Sequence, residues 1–248
     1  MKKFIHFILL ILLLVGCRNQ NKYEQVIARA DSLMESNQDS ARAALVVLDS
    51  LKSHEAAMSE HDRMYYQLIY AKGMNKGFVD FTTDSVMKQV VAYYDKHGSA
   101  NERMLAYYLL GCVYRDLQDS PASLDSYYKA VECADTTNNS CNYALLGRIH
   151  SAMGILYSDQ RTPWLSIQEE HLAEKCGWKA KDTLLAIRAY EKQASGYFIV
   201  NNLDSALSIS LRAFNFCKRN GLYSSMYSVL NPIIDIYLVF TELILRHF

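Results

Sequence analysis

The residues that come closest to a chemical site are Glu169, Glu170, His171 and Glu174. Their spacing of three and four residues puts carboxylates and an imidazole on one side of a helix. Such groups bind cations and transfer protons. A solvated helix face has the same pattern, and unpaired charged side chains are rarely buried. We therefore predict a solvated face for this segment, with no metal and no cofactor.

No segment carries a motif of a common enzyme class. The sequence lacks a glycine-rich phosphate loop, a nucleophile elbow and an HExxH zinc motif. The remaining histidines are scattered singly, at His54, His61, His97, His150 and His247. The sequence therefore predicts a protein that is not an enzyme. An enzymatic alternative requires a pocket that gathers His150, Glu170 and His171, and separate exposed positions for these three side chains would exclude it.

Composition limits the class of partner. The chain has 248 residues, of which 50% are hydrophobic and 21% charged, so the part after the leader is expected to fold. Lys and Arg together number 26, as do Asp and Glu, and the formal net charge is zero. Nucleic-acid-binding proteins usually carry a basic excess. We therefore expect no nucleic-acid partner.

The first sixteen positions have the parts of a secretory signal. Lys2 and Lys3 precede an apolar run, 4–15, and small Gly16 follows it. The run is shorter than the roughly twenty residues that span a bilayer. We therefore predict that segment 1–16 is a signal peptide that is cleaved.

Cys17 follows this signal in the segment Leu14-Val15-Gly16-Cys17, which resembles the bacterial lipobox. The resemblance implies that the Cys17 thiol is joined to diacylglycerol and that the residue becomes the new amino terminus. Residues 17–22 would then form a polar, lipidated tether to a membrane. The alternative is a cysteine that happens to end an ordinary signal peptide.

The other cysteines number five, at Cys112, Cys133, Cys141, Cys176 and Cys217. An odd count argues against a complete disulfide framework. We expect most of them to behave as small buried hydrophobes. A bridge between Cys133 and Cys141 across a helix-to-helix loop is the alternative for that pair.

The hydrophobic pattern predicts an all-α fold. The chain has three prolines and ten glycines, and in many segments the apolar residues recur every three to four positions, as on one face of a helix. Residues Tyr23, Val26, Ile27, Ala30, Leu33 and Met34 form the first such stripe.

Three tandem segments share one further spacing. It is carried in the first by Tyr107, Leu110, Gly111, Tyr114, Ser123, Tyr127 and Ala130, in the second by His150, Met153, Gly154, Tyr157, Ser166 and Ala173, and in the third by Tyr190, Gln193, Ala194, Tyr197, Ala206 and Ala213. The pattern resembles the tetratricopeptide repeat (TPR), in which small residues let two helices approach closely. His150 and Glu170 depart from it, because apolar or aromatic residues are expected there. The resemblance implies a helical solenoid, an α-α superhelix of about five helix pairs.

We predict that this solenoid spans 23–248. Its helix pairs are expected at roughly 23–53, 61–97, 101–135, 142–177 and 182–219, with the best repeats at 101–135, 142–177 and 182–219. An unpaired helix is expected at 222–246.

The mature chain also resembles the TPR lipoproteins found in Bacteroidetes. The similarity is carried by Ala71-Lys72, Asp84-Ser85, Tyr93-Tyr94, His97-Gly98 and the segment 106–111. Many members of that group continue into a spanning helix and a cytoplasmic coiled-coil or DNA-binding region, whereas this sequence ends at Phe248. The tether lacks the acidic run associated with surface display in such lipoproteins, which favours a periplasm-facing location.

First helices of stacked repeats line a groove, which gives the candidate binding residues. They are Tyr108, Arg115, Asp116, Arg148, Asp159, Arg188, Glu191 and Phe198. A solvated role is the alternative for each of them. The sequence thus predicts a membrane-anchored scaffold that binds a protein or peptide and has no catalytic activity. The alternative function is the extracytoplasmic sensory part of a truncated signalling or transcription regulator.

Overall fold

The computed structural model describes residues 22–34 and 38–245, and these residues form helices and connecting turns without a strand. The helices are α1 (22–33), α2 (Gln38–Asp49), a 3-10 helix (Lys52–Ala57), α3 (Glu60–Gly77), α4 (Ser85–His97), α5 (Ala100–Asp116), α6 (Ser120–Glu132), α7 (Tyr143–Asp159), α8 (Pro163–Ala180), α9 (Thr183–Ile199), α10 (Leu203–Arg219) and α11 (Tyr223–Leu245). The predicted all-α class is confirmed.

Two compact units make up the chain, one ending at Ser123 and the other beginning at Leu124. The predicted signal segment 1–16 and Cys17 lie outside the described residues. Cys133 and Cys141 lie within them and are not disulfide-bonded to each other.

Local sequence signals explain where several helices begin. The Ser99 hydroxyl accepts a hydrogen bond from the Glu102 backbone N–H, and the Glu102 carboxylate accepts one from the Ser99 N–H, so α5 opens with a capping box. Helix α8 begins at Pro163, whose missing N–H costs nothing in a first turn. Asp182 caps α9 by accepting a hydrogen bond from the Leu185 N–H.

One backbone turn recurs after the first helix of each clear repeat. Gln118, Arg161 and Asn201 have φ angles of 60°, 58° and 60°, respectively. They follow Tyr107, His150 and Tyr190 at the same spacing. A left-handed residue ends a helix sharply, so the chain reverses at equivalent points.

The unit that ends at Ser123 has an apolar core between its first helices. We call it the amino-terminal apolar cluster, and its buried members are Ile27, Ala30, Met34, Ala41, Ala44, Leu48, Leu51, Met58, Tyr66 and Ile69. Several of these side chains are completely shielded from solvent. In the same unit, the buried Ser123 hydroxyl donates to the Gly111 carbonyl over 2.8 Å, so these small residues lie at a close helix–helix contact.

In the unit that begins at Leu124, each helix from α7 to α11 packs on the next. Gly177 marks the tightest backbone approach, because a Cβ atom there would lie 2.8 Å from the Ala186 backbone nitrogen. The contact between α8 and α9 therefore requires glycine. Helix α9 also touches α7 and α11, which brings the first helices of successive hairpins side by side.

Candidate functional site

Helices α7, α9 and α11 form a surface that we call the first-helix face. Two side-chain contacts fix these helices to one another. The Lys192 ammonium on α9 donates to the Ser151 hydroxyl on α7 over 2.7 Å, and the Ser228 hydroxyl on α11 donates to the Glu191 carboxylate on α9. The sequence predicted a binding groove along first helices such as these, and that groove stays a prediction.

The candidate residues of this unit lie in different environments. Arg148 is partly exposed, and its guanidinium lies 3.6 Å from the Asp182 carboxylate. Arg188 and Asp159 are exposed, whereas Phe198 is half-buried. Contact of these residues with a ligand stays a prediction.

Exposed residues on α7 and α9 follow matching stripes. Arg148, Ile155 and Asp159 share one side of α7, and Arg188, Ser195 and Ile199 share the corresponding side of α9. Ile155 is 44% exposed and Ile199 is 64% exposed. Each stripe thus begins with an arginine and also offers apolar surface.

The candidate residues of the unit that ends at Ser123 form hydrogen bonds within that unit. The Tyr108 hydroxyl accepts a hydrogen bond from the Asn75 amide over 3.4 Å, and burial raises the pKa of that phenol. Arg115 donates to Asn75 and to Asp116. The Asp116 carboxylate also accepts the Phe81 backbone N–H over 3.2 Å. These side chains therefore tie α3, α5 and the connection after α3 together. Cys112, which shares their repeat face, is completely buried.

The prediction of a solvated face at 169–174 is wrong for Glu170 and Glu174, which are both buried. Glu170 faces α7 and α9 instead of water. Its Oε1 accepts a hydrogen bond from the Ser151 hydroxyl over 3.1 Å and lies 3.2 Å from the Lys192 ammonium. A Cβ atom on Gly154 would lie 2.9 Å from the same oxygen, so glycine makes room for the carboxylate.

Burial controls the protonation of Glu170. It raises the pKa of the carboxyl to about 7, although Lys192 and Ser151 act in the opposite direction. The second oxygen, Oε2, is buried and has no hydrogen-bond partner among the described residues. Leaving such an atom unsatisfied is costly, so the neutral form is favoured more than it would be in water.

The pKa of Glu174 shifts in the opposite direction from that of Glu170. Burial alone would raise its pKa, but hydrogen bonds from Tyr190, Gln193 and His171 lower it overall. The Gln193 amide donates over 3.2 Å, and the Trp178 indole N–H donates over 3.3 Å. Glu174 is therefore a satisfied buried carboxylate. We call the buried residues Glu170, Glu174 and Gln193, together with their partly exposed partners Ser151 and Lys192, the buried polar cluster.

Solved structures show the same architecture. A kinesin-light-chain-like protein of Podosopora anserina, with nearly identical TPR-like repeats, matches with a TM-score of 0.60 at 10% identity, covering 82% of this chain and 97% of that one. BtubC of P. vanneervenii matches with a TM-score of 0.52 at 12% identity, covering 87% and 85%. A signal-transduction ATPase of Pyrococcus horikoshii with a TPR sensor matches with a TM-score of 0.57 at 14% identity, covering 92% and 38%.

This chain has a TPR-like fold. At these identities the likeness shows the fold alone. No protein-family model matches the sequence, and no curated protein matches it.

Within the TPR-like fold, the side chains of the enzymatic alternative do not converge on one pocket. His150 contacts Glu169 over 2.7 Å, whereas Glu170 contacts Ser151 and Lys192. His171 is half-exposed and contacts Glu174 over 3.3 Å. In the part of the chain that the structure describes, no group of three His, Cys, Asp or Glu side chains is placed to hold a metal ion.

Sequence reasoning missed that Lys192 and Gln193 join this cluster. A comparison of two equivalent positions among the repeats would have indicated the contact. Glu170 stands where Tyr127 stands in the preceding repeat, and Gln193 stands where Leu110 and Met153 stand in the others. Polar residues at two normally apolar positions of the TPR-like fold indicate a buried polar contact, because each one needs a partner.

Across 22–34 and 38–245, no helix combines the length with the apolar character needed to cross a bilayer.

Proposed function

We propose that this chain is a membrane-tethered scaffold that binds a protein or peptide and performs no chemistry. The observation that carries the proposal is the TPR-like fold, in which α7, α9 and α11 lie side by side and form one face. Pre-formed helices limit the ordering cost of association. The fold therefore suits recognition by a fixed surface.

The chemistry of the first-helix face favours a particular kind of peptide. Arg188 is exposed and makes no ion pair with another described residue. Arg148 occupies the equivalent position on α7, and Ile155, Phe198 and Ile199 add apolar surface nearby. Arginine binds carboxylates through paired hydrogen bonds. We propose a partner segment that carries an acidic side chain beside apolar ones.

Site-specific crosslinking in cells tests this face. A photo-crosslinking residue at Ser195 on α9 is compared with one at Ser208 on α10, since both positions are exposed. We expect defined protein adducts from position 195 that disappear with Arg188→Glu. The matched change Arg219→Glu, on an exposed residue of α10, should leave them intact.

Two results would count against the peptide-binding proposal. One is the same set of adducts from both crosslinker positions, and the other is no adduct above a control that carries the tether alone. Either result would mean that the first-helix face does not select a partner.

The tether is a separate part of the proposal. A signal-like segment followed by Cys17 supports lipid attachment, and several acyl chains together give durable anchoring. With the TPR-like fold, this arrangement fits a lipoprotein of the Bacteroidetes type that faces the periplasm.

Metabolic labelling with palmitate tests the tether. The wild-type chain should take up label and sediment with membranes. Cys17→Ser should lose both properties, whereas Cys217→Ser should keep them. Label that persists in the Cys17→Ser protein would contradict the proposal. Protection from added protease in whole cells, lost after the outer membrane is opened, would support the periplasmic location.

A further inference from the structure

A cavity lies against α3 where the chain departs twice from the regular hairpin pattern. The first departure is the 3-10 helix Lys52–Ala57 after α2. The second is the extended connection 78–84 between α3 and α4, which replaces the short turn found between α7 and α8. Together with α3 and the start of α4, they border a partly open cavity of about 260 Å³. We call this cavity the α3 pocket.

The walls of the α3 pocket are mainly apolar and aromatic. The apolar and aromatic members are Tyr66, Tyr70, Ala71, Met74, Phe81, Val86 and Met87, and the polar members are Lys52, Glu55, Gln67, Thr82 and Thr83. The Tyr66 and Tyr70 rings lie 5.7 Å apart at an angle of 51°. Such walls favour the flat face or edge of an aromatic ligand, because aromatic pairs prefer tilted and offset contacts at this distance.

Contacts outside the cavity hold its walls in place. The Tyr70 hydroxyl donates to the Asp49 carboxylate over 2.9 Å. The Phe81 backbone N–H donates to Asp116 on α5 over 3.2 Å, which fixes the connection after α3. Phe81 and Met87 are largely buried. The pocket is therefore formed before any ligand arrives, which is usual for small-molecule sites.

One polar group of the lining lacks a partner. The Gln67 amide nitrogen donates to the Glu55 carboxylate over 2.7 Å. The Gln67 carbonyl oxygen, Oε1, is buried and accepts no hydrogen bond from the described residues. Buried acceptors are nearly always satisfied. An N–H or O–H group from a ligand would supply the missing donor once the Gln67 side chain rotates to turn this oxygen toward the cavity.

We propose that the α3 pocket binds a small neutral aromatic molecule with one N–H or O–H donor, of the phenol or indole class. An engineered apolar cavity of roughly 150 Å³ in another protein holds benzene, so the α3 pocket has room for a two-ring compound. The two charged side chains of the lining, Lys52 and Glu55, are opposite in sign, so the pocket favours neither an anion nor a cation, and an ion would lose hydration against the apolar walls. The α3 pocket lies in the unit that ends at Ser123, whereas the first-helix face lies in the other unit, so this proposal does not depend on the peptide-binding proposal.

Binding of indole and of indene to the full chain tests the donor requirement. The two molecules have nearly the same shape, but only indole has an N–H group. Calorimetry should show indole binding at least tenfold more tightly than indene. Gln67→Leu should remove that preference, whereas the matched Gln168→Leu, on an exposed residue of α8, should keep it.

Two further variants test the location. Ala71→Leu adds volume at the pocket wall, and Val86→Trp adds a large ring at a partly exposed wall position. Each should abolish indole binding, and thermal unfolding identifies any variant that fails to fold. Equal binding of indole and indene, binding of neither, or retained indole binding in a folded Val86→Trp protein would overturn the proposal.

Discussion

The amino-terminal apolar cluster and the buried polar cluster both fill the space between packed helices, the first with apolar side chains and the second with polar ones. In the first, side chains such as Met34 and Leu48 fill the space between helices and need only shape complementarity. In the second, Glu170 and Gln193 occupy positions that other repeats fill with apolar residues, and each needs specific partners. The stability that the apolar cluster contributes does not depend on protonation of its members. The stability that the polar cluster contributes depends on protonation and on the presence of every hydrogen-bond partner.

The largest loss in the free energy of unfolding is expected from a substitution in the amino-terminal apolar cluster. Leu48 is completely buried, and Leu48→Ala should lower the free energy of unfolding by about 4 kcal/mol through lost burial and the cavity left behind. Urea denaturation should give the same loss at pH 5 and pH 8, because no titratable group is removed. A loss that differs between the two pH values would show that this cluster is not purely apolar.

Removing the cation of the polar cluster should have the next largest effect. Lys192→Met leaves Glu170 without its ion-pair partner and Ser151 without its donor. Because a carboxyl with a pKa of about 7 can protonate at pH 8 for about 1.4 kcal/mol, we expect a total loss of about 2 kcal/mol at pH 8. At pH 5 the loss should be smaller, because Glu170 is then protonated in the folded chain. The matched change Lys175→Met, on an exposed residue of α8, should change stability little at either pH. Equal losses at both pH values for Lys192→Met would contradict the ion pair.

Glu170 itself should make stability fall as pH rises. Its pKa is raised from 4.5 to about 7 on folding because of burial, so the folded chain binds more protons than the unfolded chain between these values. The destabilisation therefore develops from about pH 4.5 and is complete above about pH 7. Glu170→Gln should remove about 2 kcal/mol of the change in stability between pH 5 and pH 8. Denaturation curves of both proteins at each pH measure this, and an identical pH dependence would refute it.

The smallest change in stability is expected at the left-handed turn residue that follows a first helix in both units. Gln118 and Arg161 have positive φ angles, which strain residues other than glycine. Gln118→Gly and Arg161→Gly should each stabilise the chain by about 0.5–1 kcal/mol. Ser158→Gly, inside α7, should instead destabilise by about 1 kcal/mol. Thermal unfolding can rank the three variants, and destabilisation by both turn substitutions would show that these turns are not strained.

The recurring turn also shows how far the sequence could predict the fold. Repeat spacing around Tyr107, His150 and Tyr190 predicted helical hairpins, and equivalent residues then adopt the same φ angle. Helix periodicity and turns depend on near neighbours in the chain. The position of the cavity beside α3 was not predicted, because it depends on how 52–57 and 78–84 pack against a third segment.

The candidate site was predicted less completely. Arg188 and Asp159 are exposed as a groove residue must be, but Tyr108, Arg115 and Asp116 have intramolecular partners that no local pattern indicates. Glu170 shows the limit most clearly. Two carboxylates four residues apart on a helix have the sequence pattern of a solvated face. The burial of Glu170 is possible only because Ser151 and Lys192 approach it in the folded chain.

By itself the sequence determined the helical class, the register of the repeats and the signal-like segment before Cys17, since each is written in residues that are close along the chain. Tertiary structure alone decided that Glu170 and Glu174 are buried, that Gln67 lines a cavity, and that α7, α9 and α11 share a face. The physical reason is that burial and hydrogen bonding depend on segments brought together by folding, at separations over which a local pattern carries no information.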